Sequence, residues 1–175
     1  MGQQMLPLCI RPFAEPDAPQ IRRLFIVVNR LLSPPHLRNA FEDYIARSLS
    51  EEIGRIAAYY GERHGGFWVA LDRERVIGTF GLEPASDGAM ELRRMYVDPS
   101  RRRAGIGRRM LQFAEAECRR RGVVRLELST SELQDAALAL YRNAGYTQLR
   151  EEIAIAASNK TLGGGIRRYY FGKVL

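Results

Sequence analysis

Residues 91–121 restrict the fold of this chain more than any other stretch. Glu91-Leu92-Arg93-Arg94-Met95-Tyr96-Val97 has the composition of a strand, and Asp98-Pro99 stops it. Arg101-Arg102-Arg103-Ala104-Gly105-Ile106-Gly107-Arg108-Arg109 then leads into a helix predicted from about Gly105 to Arg121. That helix carries Ile106, Met110, Phe113, Ala114 and Cys118 on one face, with Gly122 as its C-cap. A helix entered this way leaves backbone N–H groups unpaired and presents the positive end of its dipole, which together attract phosphate oxygens. Gly105 and Gly107 allow a pyrophosphate to approach the backbone, and the arginines add charge-assisted hydrogen bonds. The formal net charge of +7 is concentrated here and in Arg119-Arg120-Arg121, and the clustering points to one local anion site.

The polyphosphate is not held in a Walker A loop, because no Gly-Lys-Ser/Thr follows. Nor is this a dinucleotide fingerprint, since Met110 stands where the third glycine belongs.

The flanking sequence reads as alternating elements. A first strand covers residues 8–12, and Ile21, Leu24, Phe25, Val28 and Leu32 recur at helical spacing over residues 17–32. Ser33-Pro34-Pro35 ends that helix. A second helical region over 36–60 is expected to break near Ser50, which could cap a new turn. Strands follow at 67–71, 76–82 and 90–97, joined by short turns that imply antiparallel hairpins. Beyond the arginine-rich helix, Val124, Leu126 and Leu128 alternate with polar residues in a strand at 123–129. A short helix at 133–143 and strands at 146–156 and 166–174 complete a mixed α/β pattern, read as one domain over residues 1–175.

Composition narrows the setting. A hydrophobic fraction of 46% with 27% charged residues describes a soluble globular chain. No apolar run reaches the roughly 18 residues of a membrane span, and the first residues lack a signal peptide or a myristoylation pattern. Cys9 and Cys118 form no disulfide framework or metal cluster and are expected to be small buried hydrophobes in a reducing, cytoplasmic compartment. His36 and His64 have no evident triad partners and are expected at the surface, and no spacing suggests a metal site.

With these residues in place, the chain resembles the GNAT superfamily of acetyl-CoA-dependent N-acetyltransferases. Its hallmark, Gln/Arg-x-x-Gly-x-Gly/Ala, is matched by Arg102, Gly105 and Gly107 after a strand ending in Val97-Asp98-Pro99. A second match is Ala137-Leu138-Ala139-Leu140-Tyr141-Arg142-Asn143-Ala144-Gly145-Tyr146. The element order agrees over about residues 8–175. Arg103 stands where the family often has glycine, and Gln134 where it often has asparagine. The resemblance implies a mixed, largely antiparallel sheet flanked by helices.

It also implies that Arg102, Arg103, Ala104, Gly105, Ile106, Gly107 and Arg108 wrap the pyrophosphate of acetyl-CoA, with Gln134 and Tyr141 completing the cofactor site. Met95, Tyr96 and Val97 would pair with the pantetheine arm like an added strand. An amide there would stabilise the oxyanion of acyl transfer, an effect of about 3–4 kcal/mol per donor. Tyr141 would protonate the departing thiolate, and Glu91 would take the proton of the amine, with Glu83 in reserve. The acceptor would be an amine of a small molecule or peptide, shaped by residues 17–60 and the loop at 158–165. The implied partners include neither nucleic acid nor membrane, and similar proteins form homodimers through the last strand. Two other readings stay open: a catalytically inactive acyl-CoA-binding protein of the same fold, and a basic nucleic-acid-binding module.

Overall fold

The computed structural model describes residues 8–102 and 104–175. Its chain order is β1 (Leu8–Pro12), α1 (Ala18–Leu32), α2 (Arg38–Glu51), α3 (Ile56–Glu62), β2 (Gly66–Asp72), β3 (Arg75–Pro84), β4 (Met90–Val97), α4 (Ile106–Arg120), β5 (Arg125–Ser131), α5 (Asp135–Asn143), β6 (Thr147–Ala154) and β7 (Ile166–Val174). The strands form one seven-stranded sheet in the order β1-β2-β3-β4-β5-β7-β6. Every neighbouring pair is antiparallel except β4 and β5, so the expected mixed, largely antiparallel sheet is what forms.

Both faces of the sheet are covered. On one side, Ile21, Phe25 and Val28 of α1, Ile45 of α2 and Ile56 and Tyr60 of α3 pack against Phe67, Val69 and Leu71. On the other, Met110, Leu111, Ala114 and Cys118 of α4 with Leu138 and Tyr141 of α5 pack on Trp68, Ile77, Phe80, Leu126, Leu128 and Phe171. This explains why β2 and β3 read as nearly unbroken apolar runs: a strand buried on both faces has no solvent side to mark with polar residues. Among the described residues no helix is long and apolar enough to cross a membrane.

Two features of β4 shape the site. Its parallel ladder to β5 involves only Met90, Leu92 and the Glu91 between them, opposite Leu126–Leu128, after which the strands separate. Against β3, Gly81 pairs with Arg93 and Thr79 with Tyr96, so β4 carries an extra residue there. Arg94 takes a left-handed φ of 54° at this bulge, and the Thr79 hydroxyl donates to its carbonyl at 2.9 Å. A non-glycine residue held in this region costs roughly 1–2 kcal/mol, so surrounding contacts must enforce it.

The structure departs from the sequence reading at several places. Ser50 lies within α2 and caps nothing; the break comes at Glu52, with φ −140° and ψ −64°, followed by a 3-10 turn Ile53–Arg55. Local capping chemistry does not set this break, because Glu52 turns fully inward to meet buried arginines. β5 begins at Arg125 instead of residue 123, since Gly122 and Val123 donate to the carbonyls of Arg119 and Cys118 and finish α4. Val124 is therefore 66% exposed and does not share the buried face of Leu126 and Leu128. Cys9 is exposed on edge strand β1, whereas Cys118 is buried as expected.

The glycines of β3 and α3 offer a test of this packing. A Cβ on Gly81 would meet the Tyr60 hydroxyl at 2.4 Å, while one on Gly61 would meet nothing within 4 Å. Gly81→Ala is expected to destabilise the protein by about 1–3 kcal/mol, and Gly61→Ala to leave stability unchanged or raise it by up to about 1 kcal/mol. Urea denaturation of the two variants beside wild type measures both.

Candidate active site

Where β4 and β5 separate, a cavity of about 690 Å³ opens through the sheet. It brings together Glu91, Met95, Tyr96 and Val97 of β4, Arg102, Gly105, Ile106, Gly107 and Arg108 at the entry to α4, and Gln134 and Tyr141 of α5 and its N-cap. These are nearly all of the residues singled out from sequence. Ala104 is exposed and off the cavity wall. Arg103 lies outside the described residues.

The turn into α4 is built by short polar contacts. Asp98 accepts from the Ser100 amide at 2.9 Å and the Ser100 hydroxyl at 2.7 Å, and Arg75 donates to its second oxygen at 2.8 Å. Gly105 then adopts φ 73° as the N-cap of α4, a conformation that favours glycine. Gly107 has a different reason: its Cβ would stand 3.3 Å from Leu140 Cδ2, so it lets α4 approach α5.

The arginines do not act as one cluster. Arg101 is held by Asp72 at 2.7 Å, and at the far end of α4 Arg120 and Arg121 are both held by Glu117. Arg102 and Arg108 remain on the cavity wall with no carboxylate partner among the described residues. The uncompensated positive charge on this side of the cavity therefore lies at the first turn of α4 with these two side chains, and the run at 119–121 belongs to the helix C-terminus.

Tyr141 packs edge-on against Tyr146, with ring centroids 5.9 Å apart, and tilted against Phe171. Burial pushes its phenol well above the usual range, and Tyr96 adds to the effect. A hydroxyl in this setting keeps its proton at neutral pH. The Gln134 side-chain oxygen accepts from the Thr130 hydroxyl at the cavity wall.

The opposite wall contains a buried ion network that the sequence reading did not find. Glu52, 0% exposed, lies 2.9 Å from an Arg93 nitrogen and accepts from Arg94 Nε at 2.7 Å and the Tyr60 hydroxyl at 2.9 Å. Arg93 also donates to Glu83 at 3.1 Å, and Arg94 to the Tyr44 hydroxyl at 2.7 Å and the Asn159 carbonyl at 2.6 Å. Lys160 follows Asn159 and places its ammonium 2.7 Å from Glu91 and 3.2 Å from Glu83. The loop after β6 is thus fastened across the cavity by Asn159 and Lys160.

Glu83, the reserve base, is buried beside this network and does not line the cavity, so Glu91 is the carboxylate that reaches it. Burial by itself would raise the Glu52 carboxyl, but the charges of Arg94 and Arg93 outweigh it and hold the group below its ordinary 4.5. Two adjacent arginines in an otherwise alternating strand were the available signal, because alternation would send one of them into the opposite core.

Comparison with known proteins agrees with this architecture. The family model described as Acetyltransferase (GNAT) family matches residues 30–146, and the chain belongs to that family. It is 36% identical over 121 residues to rat N-acetyltransferase family 8 member 3, covering 63% of this chain and 51% of the relative. It is 35% identical over 99 residues to the probable N-acetyltransferase 14 of Xenopus tropicalis, covering 55% of this chain and 48% of that protein. The chain thus spans about half the length of these curated relatives. Among solved structures, the PaiA N-acetyltransferase of Thermoplasma acidophilum in complex with coenzyme A superposes with a TM-score of 0.75 at 17% identity, over 96% of this chain and 99% of that one. A GNAT-family acetyltransferase of Staphylococcus aureus Mu50 gives 0.72 at 20% identity, over 93% and 97%.

Removing Glu52 tests the network directly. Glu52→Gln leaves Arg93 and Arg94 without their shared anion and is expected to cost about 3–5 kcal/mol in urea denaturation at neutral pH. Because the folded-state pKa of Glu52 is lowered, its contribution is present above the ordinary value of 4.5 and is lost as pH falls below it. The gap between wild type and variant should therefore narrow on acidification through that range. A gap that stays constant would remove the charge of Glu52 as the cause.

Proposed function

We propose that this chain is an acetyl-CoA-dependent N-acetyltransferase that joins an acyl group to a primary amine of a small molecule or peptide by direct attack in a ternary complex. The carrying observation is one cavity that contains a helix N-terminus with Arg102 and Arg108, an unpaired strand edge at 93–97 and the buried phenol of Tyr141. The first turn of α4 and its arginines fit a pyrophosphate, and the strand edge fits an extended, amide-bearing arm. The coenzyme A bound to the Thermoplasma neighbour and the N-acetyltransferase names of the relatives support the same reading. Residues 1–175 are proposed to form a single domain for this task.

When bound, acetyl-CoA supplies the activated acyl group as a thioester. The chain contributes position and protons. An amide on the cleft edge of β4 polarises the carbonyl under attack. Glu91 receives the proton of the incoming amine, a role for which the amine must replace Lys160 as its partner. Tyr141 protonates the departing thiolate, and its burial keeps the phenol protonated until then. No covalent acyl-enzyme is required, and much of the rate enhancement comes from holding both substrates together.

Acetyl-CoA at about 100 times its Kd should stabilise the protein by about 2.7 kcal/mol, a rise in Tm of roughly 5–10 °C that ATP and NAD do not reproduce. Absence of any shift at millimolar acetyl-CoA would overturn the proposal. Tyr141→Phe is expected to lower kcat by about 100-fold or more while leaving acetyl-CoA affinity nearly unchanged. Steady-state kinetics with a parallel thermal titration decides this, and an unaltered kcat removes Tyr141 from the mechanism.

A further inference from the structure

The acceptor wall of the cavity has one cation more than its carboxylates can match. Glu52 is paired with Arg93 and Arg94, Glu83 with Arg93, Lys160 and, at 4.0 Å, Arg63, and Glu91 with Lys160. Arg168, half-buried on β7, lines the same cavity and donates to the Ser129 hydroxyl at 2.8 Å, but meets no carboxylate among the described residues. Glu152 stands across the β6–β7 ladder from Arg168, yet its oxygens are engaged by Arg150 at 2.7 Å and by the Tyr170 hydroxyl. Asp135, the remaining acid on the cavity wall, is exposed on the first turn of α5.

Arg168 also borders a recess of about 30 Å³ that continues from the cavity between α1, α2 and the loop before β7. Leu32, Phe41, Leu162 and Ile166 share its wall with Asn29, Ser131 and Thr161, so the recess is mixed in polarity. A guanidinium of this kind is a planar donor suited to a carboxylate. The recess beside it admits no more than about a methyl-sized group, and Glu91 can hold an ammonium, as it holds that of Lys160.

We infer that the acceptor is a free amino acid, its carboxylate bound by Arg168 and its amine brought to Glu91 in place of Lys160. The inference rests on the proposed acetyl transfer and names its acceptor class. The surplus charge of Arg168 is then neutralised by the substrate itself, and an amine without a carboxylate leaves it unmatched. Transfer balances simply: the amine nitrogen forms the amide bond, the carbon–sulfur bond of the thioester breaks, and the amine proton is replaced on the thiolate through Glu91 and Tyr141.

The test uses the full chain, acetyl-CoA, and a panel of free alanine, valine, leucine and methionine beside their carboxamides, a polyamine and a short peptide. Acetylation is read by thiol release and confirmed by product mass. Free acids are expected to exceed their carboxamides about 10- to 100-fold in kcat/KM, chiefly through KM, the range expected for one charged hydrogen-bonded contact. Arg168→Gln should abolish that preference while changing the carboxamides less than about threefold, and Arg168→Lys should restore part of it.

Each variant's thermal shift with acetyl-CoA should match wild type, which separates loss of acceptor recognition from loss of fold or cofactor binding. Carboxamides used as well as acids, or a polyamine or peptide used in preference to every free amino acid, would overturn the inference and leave the proposed function standing. Binding of acetyl-CoA without acetylation of any free amino acid would overturn it in the same way. Failure of acetyl-CoA to bind wild type would instead overturn the proposed function and the inference with it.

Discussion

The contact on which the site depends is the pairing of Glu52 with Arg93 and Arg94 beneath the sheet. Taking three charges out of water costs several kcal/mol for each ion, so the network is maintained by the hydrogen bonds its members exchange and is not a simple gain in stability. Its consequence is geometric. Consecutive residues of a regular strand face opposite ways, and Arg93 and Arg94 can reach the same carboxylate only because Arg94 adopts a left-handed conformation at the bulge. The bulge turns β4 away from β5 after Leu92, and the cavity occupies the resulting gap.

The division of labour follows from this opening. One side of the gap is faced by α4 and α5, which bring a helix N-terminus, two arginines with no carboxylate partner among the described residues and a buried phenol. The other is faced by α1, α2 and the loop carrying Asn159 and Lys160, which bring charged groups already matched to one another. A substrate reaching through the sheet therefore passes from an electropositive entrance to a polar wall where a single arginine is left over. The cavity also meets water at its mouth, while Tyr141 is packed by Tyr146 and Phe171, so proton-holding and ligand access are separated within a few residues.

Much of the architecture was legible because it is written in local periodicity. The apolar spacing of α1 and α4, the short turns between β2, β3 and β4, and the glycine-rich entry to α4 each carry their own structural cause. The α4 end of the cavity was legible for the same reason: Gly105, Arg102 and Arg108 are neighbours in sequence, and the helix end they form is a local object. Sequence and structure part where a neighbour distant along the chain decides the outcome. Ser50 has the chemistry of a cap, yet Glu52 breaks the helix to reach Arg94, whose residue number is far removed. Cys9 has the surroundings of a core strand, but its position at the sheet edge leaves it exposed.

The sequence by itself determined the order of elements, the mixed α/β class and the glycine-rich helix end proposed for the phosphates, because each depends on residues within a turn or two of one another. The tertiary structure alone decided how the charges on the opposite wall pair. Glu52, Glu83, Glu91, Tyr44, Asn159, Lys160 and Arg168 are spread over α2, the segment after it, β3, β4, the loop before β7 and β7 itself, with no spacing that links them. Electrostatic matching acts through space, and which charges cancel and which one remains can be read only once the sheet has brought them face to face.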